Sequence, residues 1–264
     1  MTIRIGTAPY LDAKPLTRWF SHTEEGKESQ IEVVYALPYQ LARMLAEGEI
    51  AAALVSSFEY FRTPGYVISP DISISGQAEI ESIRAFARAS WRNIESLALD
   101  PSALTSVALL KILLAEQLNS YPAFLQTAQG LEAMLSQADA CLLTGDAGLT
   151  ADGTDLNVLD LGHAWRLTGL PFVYALWLGK PERLTPQLID ALTTAKAWGL
   201  TQLDAIAEEE ATRLGISFRK CRRYLTETMD YDFGEEHYQA LETFGAKAYS
   251  QQLLIGPPSL LRMV

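Results

Sequence analysis

The chain has 264 residues, 48% of them hydrophobic and 20% charged, with a net charge of −11 and an isoelectric point near 4.8. It is long enough to bury a real core in one large domain or two of ordinary size. An acidic surface repels phosphate backbones and anionic bilayers, and no basic patch offsets it, so neither nucleic acid nor a membrane is expected as a partner.

The opening MTIRIGTAPY lacks the basic start and long apolar stretch of a secretory signal, and the longest apolar run, LPFVYALWLG, is too short to span a bilayer. A soluble, cytoplasmic protein is expected.

In chain order, hydrophobic periodicity predicts a strand (IRIGTA), a helix from about Pro15, a strand (IEVVYA), a helix (YQLARMLAEG) and a strand (IAAALVSS). The second helix starts after Pro38 and stops at Gly48. Extended segments follow at Asp71 to Ser75 and Ile80 to Arg88. A second run holds a strand (SLALD), a helix from Thr105 to Leu118, a short helix near Gly130 to Ser136, a strand (DACLLT), a helix from Asp146 and a strand (FVYALWLG). After Pro186 the pattern is helical, with amphipathic stretches at 186–203, 203–214, 217–228 and 235–250. Two successive β/α runs predict two α/β domains with a ligand between them.

Four strands finish in small polar residues and lead into helices: Thr7 to Pro15, Val55 to Ser57, Asp100 to Ser106, and Thr144 to Asp146. In an open α/β sheet these ends face the ligand crevice, and the helix N-termini after them offer free N–H groups and partial positive charge to an anion. Alternatively, Ser57, Ser102, Thr105 and Asp146 cap their helices.

Cys141 and Cys221 form no C-x-x-C pair, and His22, His163 and His237 have no metal-ligand spacing. No metal is expected, and His163 reads as a surface residue. Trp165 and Trp177 read as packing.

The segments YLDAKPL (10–16), EGEIAAALVSSFEYFR (47–62), PDISI (70–74), LALDPSALTSVALLKILL (97–114), DACLLTGDAGL (139–149) and DLGHAWRLTGLPFVYALW (160–177) resemble, in order, the chorismate dehydratase family of the futalosine route to menaquinone. YLTETMDYDFGEEHYQALETF (224–244) is similar to the family's C-terminal helical region. The SPCPNDT-like start of the pathway's sister enzyme is absent.

The resemblance implies an α/β, two-lobed, type II periplasmic-binding-protein-like fold with a C-terminal helical block. Lobe 1 would comprise 1–92 plus 179–264 and lobe 2 93–178, with crossings near Ser82 to Ser90 and Phe172 to Leu178. The implied reaction dehydrates chorismate to 3-[(1-carboxyvinyl)oxy]benzoate, with no cofactor. The substrate's own enolpyruvyl carboxylate takes the ring proton, and an Asn and a Ser of the family hold the reacting groups. Those two positions are Asp12 and Ser82 here.

Elsewhere the family pattern is altered. Asp100, Ser102, Thr105 and Ser106 match its D-x-S-S-R-T-S string, but Ala103 and Leu104 replace a Ser and an Arg. Losing the Arg removes a bidentate carboxylate clamp, and an ionised Asp12 only accepts hydrogen bonds beside a dianion. Either Asp12 is protonated in the closed cleft and donates to the departing hydroxyl, with Lys14 or Arg84 supplying positive charge, or the site has turned to a different ligand.

The further candidates for binding a small anionic substrate are Tyr10, Ser56, Ser57 and the Gly145-Asp146 turn. A diverged small-carboxylate binding protein or sensor without catalysis is the reading from another class, since fold does not fix function. Nothing in the sequence speaks to oligomeric state.

Overall fold

A computed structural model describes residues 2–127 and 129–264. Among the described residues there are ten strands: β1 (Ile3–Thr7), β2 (Ile31–Tyr35), β3 (Ala52–Ser56), β4 (Val67–Gly76), β5 (Arg84–Ala87), β6 (Ser96–Leu99), β7 (Ala123–Gln126), β8 (Ala140–Leu143), β9 (Asn157–Asp160) and β10 (Phe172–Gly179). They form two five-stranded sheets, ordered β2-β1-β3-β10-β4 and β7-β6-β8-β5-β9. In the first, β1 runs parallel to β2 and β3, while β10 inserts antiparallel between β3 and β4. In the second, β6 is parallel to β7 and β8, and β5 is antiparallel to β8 and β9. Two mixed sheets, one per lobe, confirm the expected architecture.

The central strands read as continuous apolar runs because both their faces are covered. Ala52 to Val55 and most of Phe172 to Gly179 are buried. The Pro38–Glu47 helix buries Leu41, Met44 and Leu45 against the first sheet and ends at Gly48, whose φ of +75° a glycine adopts without strain.

Strand pairing places the lobe edges differently from the expected boundaries at 92/93 and 178/179. β5 hydrogen-bonds only to β8 and β9 and so sits in the second sheet; β10 bonds only to β3 and β4 and sits in the first. Both lie in segments where the sequence suggested crossings, and the ladders assign each to one lobe.

The helix expected from Pro15 is broken into Lys14–Thr17, Trp19–His22 and Glu24–Glu28. Thr23 causes the last break: its backbone is extended, and its hydroxyl accepts the Gly26 N–H as an N-cap. Strands β7 and β9 were not foreseen. They are short, half-exposed edge strands with no clear apolar alternation.

The C-terminal block follows the expected pattern through Pro186–Leu200, Leu203–Leu214, Phe218–Arg223 and Glu235–Ser250. Tyr224–Thr228 is a single π-helical turn. Phe244 of the last helix meets Phe172 of β10 edge-on at 4.9 Å and lies 6.0 Å from Phe58 and 6.4 Å from Trp165, tying residues of both lobes into one core. Trp165 and Trp177 are buried and His163 is exposed, as expected. Among the described residues no helix is long and apolar enough to cross a membrane.

Candidate functional site

The carboxyl ends of β1, β3, β6 and β8 meet across a cleft between the lobes. Its inner part is a cavity of about 120 Å³ lined by Tyr10, Asp12, Ser56, Asp100, Thr105 and Gly145, among others. Pro38, Val55, Ser56, Asp100, Ser102 and Leu104 are shared with an outer groove of about 780 Å³. The inner space is smaller than the roughly 300–1,000 Å³ of an ordinary ligand site.

Ten residues are singled out for this site by sequence, and seven line the inner cleft: Tyr10, Asp12, Ser56, Ser102, Thr105, Ser106 and Gly145; Asp146, next to Gly145, bonds to the Leu11 N–H instead. Ser57 and Ser82 lie behind the wall, with exposures of 0% and 2%. Ser57 Oγ donates to the Val173 carbonyl at 2.6 Å.

The capping alternative holds for none of its four members. Ser57 makes no cap bond with its side chain. Thr105 lies inside the Leu104–Leu118 helix, and its hydroxyl reaches across the cleft to Ser56 and accepts the Phe58 N–H at 3.1 Å. Asp146 accepts the Leu11 N–H at 2.9 Å and a bond from Arg213 at 2.7 Å, both from the other lobe. Ser102 is a different case: its N–H donates to Asp100 Oδ1 at 2.8 Å, which closes the turn before the helix. The Ser102 and Ser106 hydroxyls have no hydrogen-bond partner among the described residues and face a cleft at a helix N-terminus.

Tyr10 rests on Gly145. A Cβ at Gly145 would stand 3.2 Å from the ring, and the backbone there has a φ of +62°, so a side chain is disfavoured twice. Tyr10 therefore forms part of the contact between the lobes. Its phenol is pushed up by burial and by the charges of Asp12, Asp100 and Asp146.

No cation lines the inner cleft among the described residues. Arg84, suggested as a replacement for the charge missing at Leu104, points elsewhere: it donates to the carbonyls of Gly148 and Ala151 and stacks 5.0 Å from the Phe86 ring. Lys14 lies 3.5 Å from Glu210, a buried carboxylate that also pairs with Arg213. Both are held by the scaffold. The geometry overturns the expectation that either one supplies positive charge to the site.

The surroundings of Asp12 disfavour its ionised form. Burial, then the charge of Asp146, push its carboxyl up to about 7, against smaller opposing effects of backbone N–H groups and the Tyr224 hydroxyl. Half the Asp12 population is thus a neutral acid near neutral pH, able to donate where an ionised Asp could not.

Ser82 sits on a tight turn where the sequence predicts an extended segment from Ile80; the strand begins only at Arg84. Glu81 adopts a φ of +59°, and Asp160 at the end of β9 accepts the N–H groups of Ile80 at 3.0 Å and Glu81 at 2.8 Å. The Glu81 carboxylate pairs with Arg223. Gly148 packs on the same turn so closely that a Cβ would fall 2.0 Å from the Ser82 carbonyl. Behind it, the buried Tyr224 hydroxyl donates to Ser82 Oγ at 2.9 Å. Asp160 and Tyr224 lie in segments of the family resemblance, but no spacing links them to this turn, because each acts from a part of the chain more than seventy residues away.

Neither cysteine is a nucleophile: burial pushes Cys141 up to about 12 and Cys221 up to about 11. Among the described residues no group of three or more His, Cys, Asp or Glu could hold a metal ion.

A family model described as menaquinone biosynthesis matches residues 3–250. The chorismate dehydratase of Thermus thermophilus is 32% identical over 241 residues, covering 84% of this chain and 86% of that protein. Among solved structures, a protein of Archaeoglobus fulgidus superposes with a TM-score of 0.76 at 19% identity, over 96% of this chain and 98% of its own. A Candida albicans gene product with the generic periplasmic binding protein fold gives 0.72 at 10% identity, over 100% and 98%. The periplasmic aliphatic sulphonate binding protein of Escherichia coli gives 0.70 at 16%, over 98% and 90%. These likenesses establish a periplasmic-binding-protein-like fold.

Proposed function

Because the chain belongs to the menaquinone biosynthesis family, we propose that it is a hydro-lyase that dehydrates chorismate to 3-[(1-carboxyvinyl)oxy]benzoate, with the substrate held between the lobes. The observation that carries the reading is the match to that family over residues 3–250, joined to a relative named chorismate dehydratase across most of both chains.

The chemistry asks little of the protein. Removing the ring proton next to the enolpyruvyl ether and expelling the neighbouring hydroxyl makes the ring aromatic, so the site needs to orient the dianion and assist hydroxide departure. The substrate's enolpyruvyl carboxylate takes the proton. Asp12, neutral through burial, adds no charge beside the dianion and donates to the leaving oxygen. The Ser102 and Ser106 hydroxyls and the N-terminus of Leu104–Leu118 take a carboxylate in place of the missing guanidinium at Leu104. Tyr10 and Gly145 close over the ring.

The inner cleft, with no cation among its described lining residues, favours a second reading, a small-carboxylate binding protein or a lyase with an altered substrate. Mixing the protein with chorismate and following proton NMR separates them. Loss of the ring diene signals with growth of meta-substituted aromatic ones, absent from a boiled control, is the expected result. A folded protein that leaves chorismate to its spontaneous decay would exclude the dehydratase.

A further inference from the structure

The acid at Asp12 rides on one short turn, Leu11–Ala13, between β1 and the Lys14–Thr17 helix. Its own segment does not cap it: Tyr10, the residue before it, makes no side-chain bond to the turn. The first N–H of such a turn needs an acceptor, and the one that Leu11 finds comes from the second lobe, Asp146 Oδ1 at 2.9 Å. The contact is in register, since Tyr10 rests on Gly145 and its neighbour Leu11 meets Asp146. At the other end of the turn Lys14 lies 3.5 Å from Glu210, whose side chain is 3% exposed. Two carboxylates thus flank the turn, and among the described residues one side chain bonds to both. Arg213 donates from Nε to Glu210 Oε2 at 2.5 Å and from Nη2 to Asp146 Oδ2 at 2.7 Å. We propose that Arg213 is a positioning residue that holds Asp146 on the Leu11 N–H and so keeps the turn that carries Asp12 aimed at the cleft.

A carboxylate on a short side chain turns about its bonds, and where water reaches it, water competes for its oxygens. With Oδ2 of Asp146 fixed by a planar guanidinium, Oδ1 has one place left, facing Leu11. The guanidinium is fixed in turn by Glu210, three residues earlier on the Leu203–Leu214 helix. A pair of exposed charges would hold little, but Glu210 is buried and a buried carboxylate does not give up its partner to solvent. The anchor therefore runs from a buried charge in the C-terminal block, through Arg213, to the second lobe and back to the backbone beside Asp12.

Two other cations of the same block reach the second lobe. Lys220 donates to the Leu149 carbonyl at 2.7 Å, and Arg223 pairs with Glu81 at 2.6 Å. They secure the far end of the Gly145–Thr150 helix and the turn before Ser82, and their bonds go nowhere near residues 10–14. The link from this block to the Asp12 turn by way of Asp146 runs through Arg213.

The kinetic consequence rests on the dehydratase reading, whereas the positioning is read without substrate, from hydrogen exchange of the Leu11 amide followed by NMR. Arg213→Lys keeps a charge beside the buried Glu210 but loses the fork that spans two carboxylates. Exchange at Leu11 should quicken about tenfold or more, with the buried amides of β3 unchanged, because one local bond opens and the fold does not. For chorismate, kcat should fall about tenfold with a smaller change in KM, since the acid is displaced while the other contacts to the ligand remain. Asp146→Ala should reproduce both effects, and Arg213→Lys added to it should change neither further. Should Arg213→Lys not fold, Arg213→Gln with Glu210→Gln removes the buried charge together with its partner and is read in the same way. A Leu11 amide unmoved in the folded variant, or Arg213→Lys effects that persist in full on the Asp146→Ala background, overturns the proposal. A quickened Leu11 amide in a protein that leaves chorismate unchanged supports the positioning and overturns only the assignment of substrate.

Discussion

The hydroxyl of Ser56, at the end of β3, accepts the backbone N–H of Thr105 at 2.9 Å across the cleft. A donor at a helix N-terminus, of the kind that would hold a carboxylate, is thus taken by the protein's own side chain. The Thr105 hydroxyl also bonds to Ser56, to the Phe58 N–H and, at 3.3 Å, to Ser57. Closure of the lobes and binding of ligand draw on the same groups.

Thr105→Val tests that overlap. The variant keeps the shape and the N–H but leaves the buried Phe58 N–H unpaired in the closed form, a cost of about 1–3 kcal/mol. KM for chorismate should rise about tenfold with a smaller change in kcat. Steady-state kinetics at saturating and limiting substrate decide it, and an unchanged KM would mean the clasp contributes nothing to closure.

Asp12 links stability to pH. Its carboxyl is raised from an ordinary 3.8 to about 7, so the fold favours the protonated form. The contribution is complete below the unfolded value and is lost as pH rises through about 7. Asp12→Asn should therefore be more stable than the parent at pH 8 by on the order of 2–4 kcal/mol, with the difference vanishing near pH 4. Calorimetric melting at both ends of that window measures it, and a parallel pH dependence in parent and variant would refute it.

Asp146→Asn should shift the same titration downward. The amide still accepts the Leu11 N–H through its oxygen, but the negative charge that helps raise Asp12 is gone and Arg213 is left facing the site. Both changes favour an ionised Asp12. The alkaline limb of the kcat profile should begin at lower pH, and a limb that stays in place would show that burial alone sets the Asp12 value.

Gly148→Ala probes the turn that carries Ser82. The added methyl would meet the Ser82 carbonyl at 2.0 Å, and backbone on both sides leaves no flexible atom to yield. The helix must shift, at a cost of roughly 1–3 kcal/mol in stability. A matching fall in kcat, out of proportion to any change in KM, is expected from turnover assays on the folded variant. Melting temperature and kcat equal to the parent's would show that the turn tolerates the shift.

Much of the fold was legible because the buried strands are continuous apolar runs and the helix at Pro38 is punctuated at both ends by Pro and Gly. The broken helix after Pro15 was not, since it turns on a single side chain, Thr23, bonding back to the chain. Sequence led to the strand ends that line the cleft and to the acid at Asp12, and offered Arg84 as one of two alternatives for the missing charge, whereas its guanidinium bonds to the Gly148 and Ala151 carbonyls. The roles of Asp160 and Tyr224 are not legible for a different reason. Their meaning lies in the partners they meet, Ile80, Glu81 and Ser82, and periodicity carries no information on such distant pairings.

The place of β10 between β3 and β4 bears on how the chain reaches this state. A nascent chain that has made residues 1–76 holds four strands of the first sheet but lacks the one that joins β3 to β4, which arrives only with Phe172 to Gly179. Until then the apolar rims of β3 and β4 stay unpaired while the whole second sheet is synthesised between them. The topology raises contact order, predicts slow folding, and makes the N-terminal fragment a substrate for chaperones more than an autonomous folding unit.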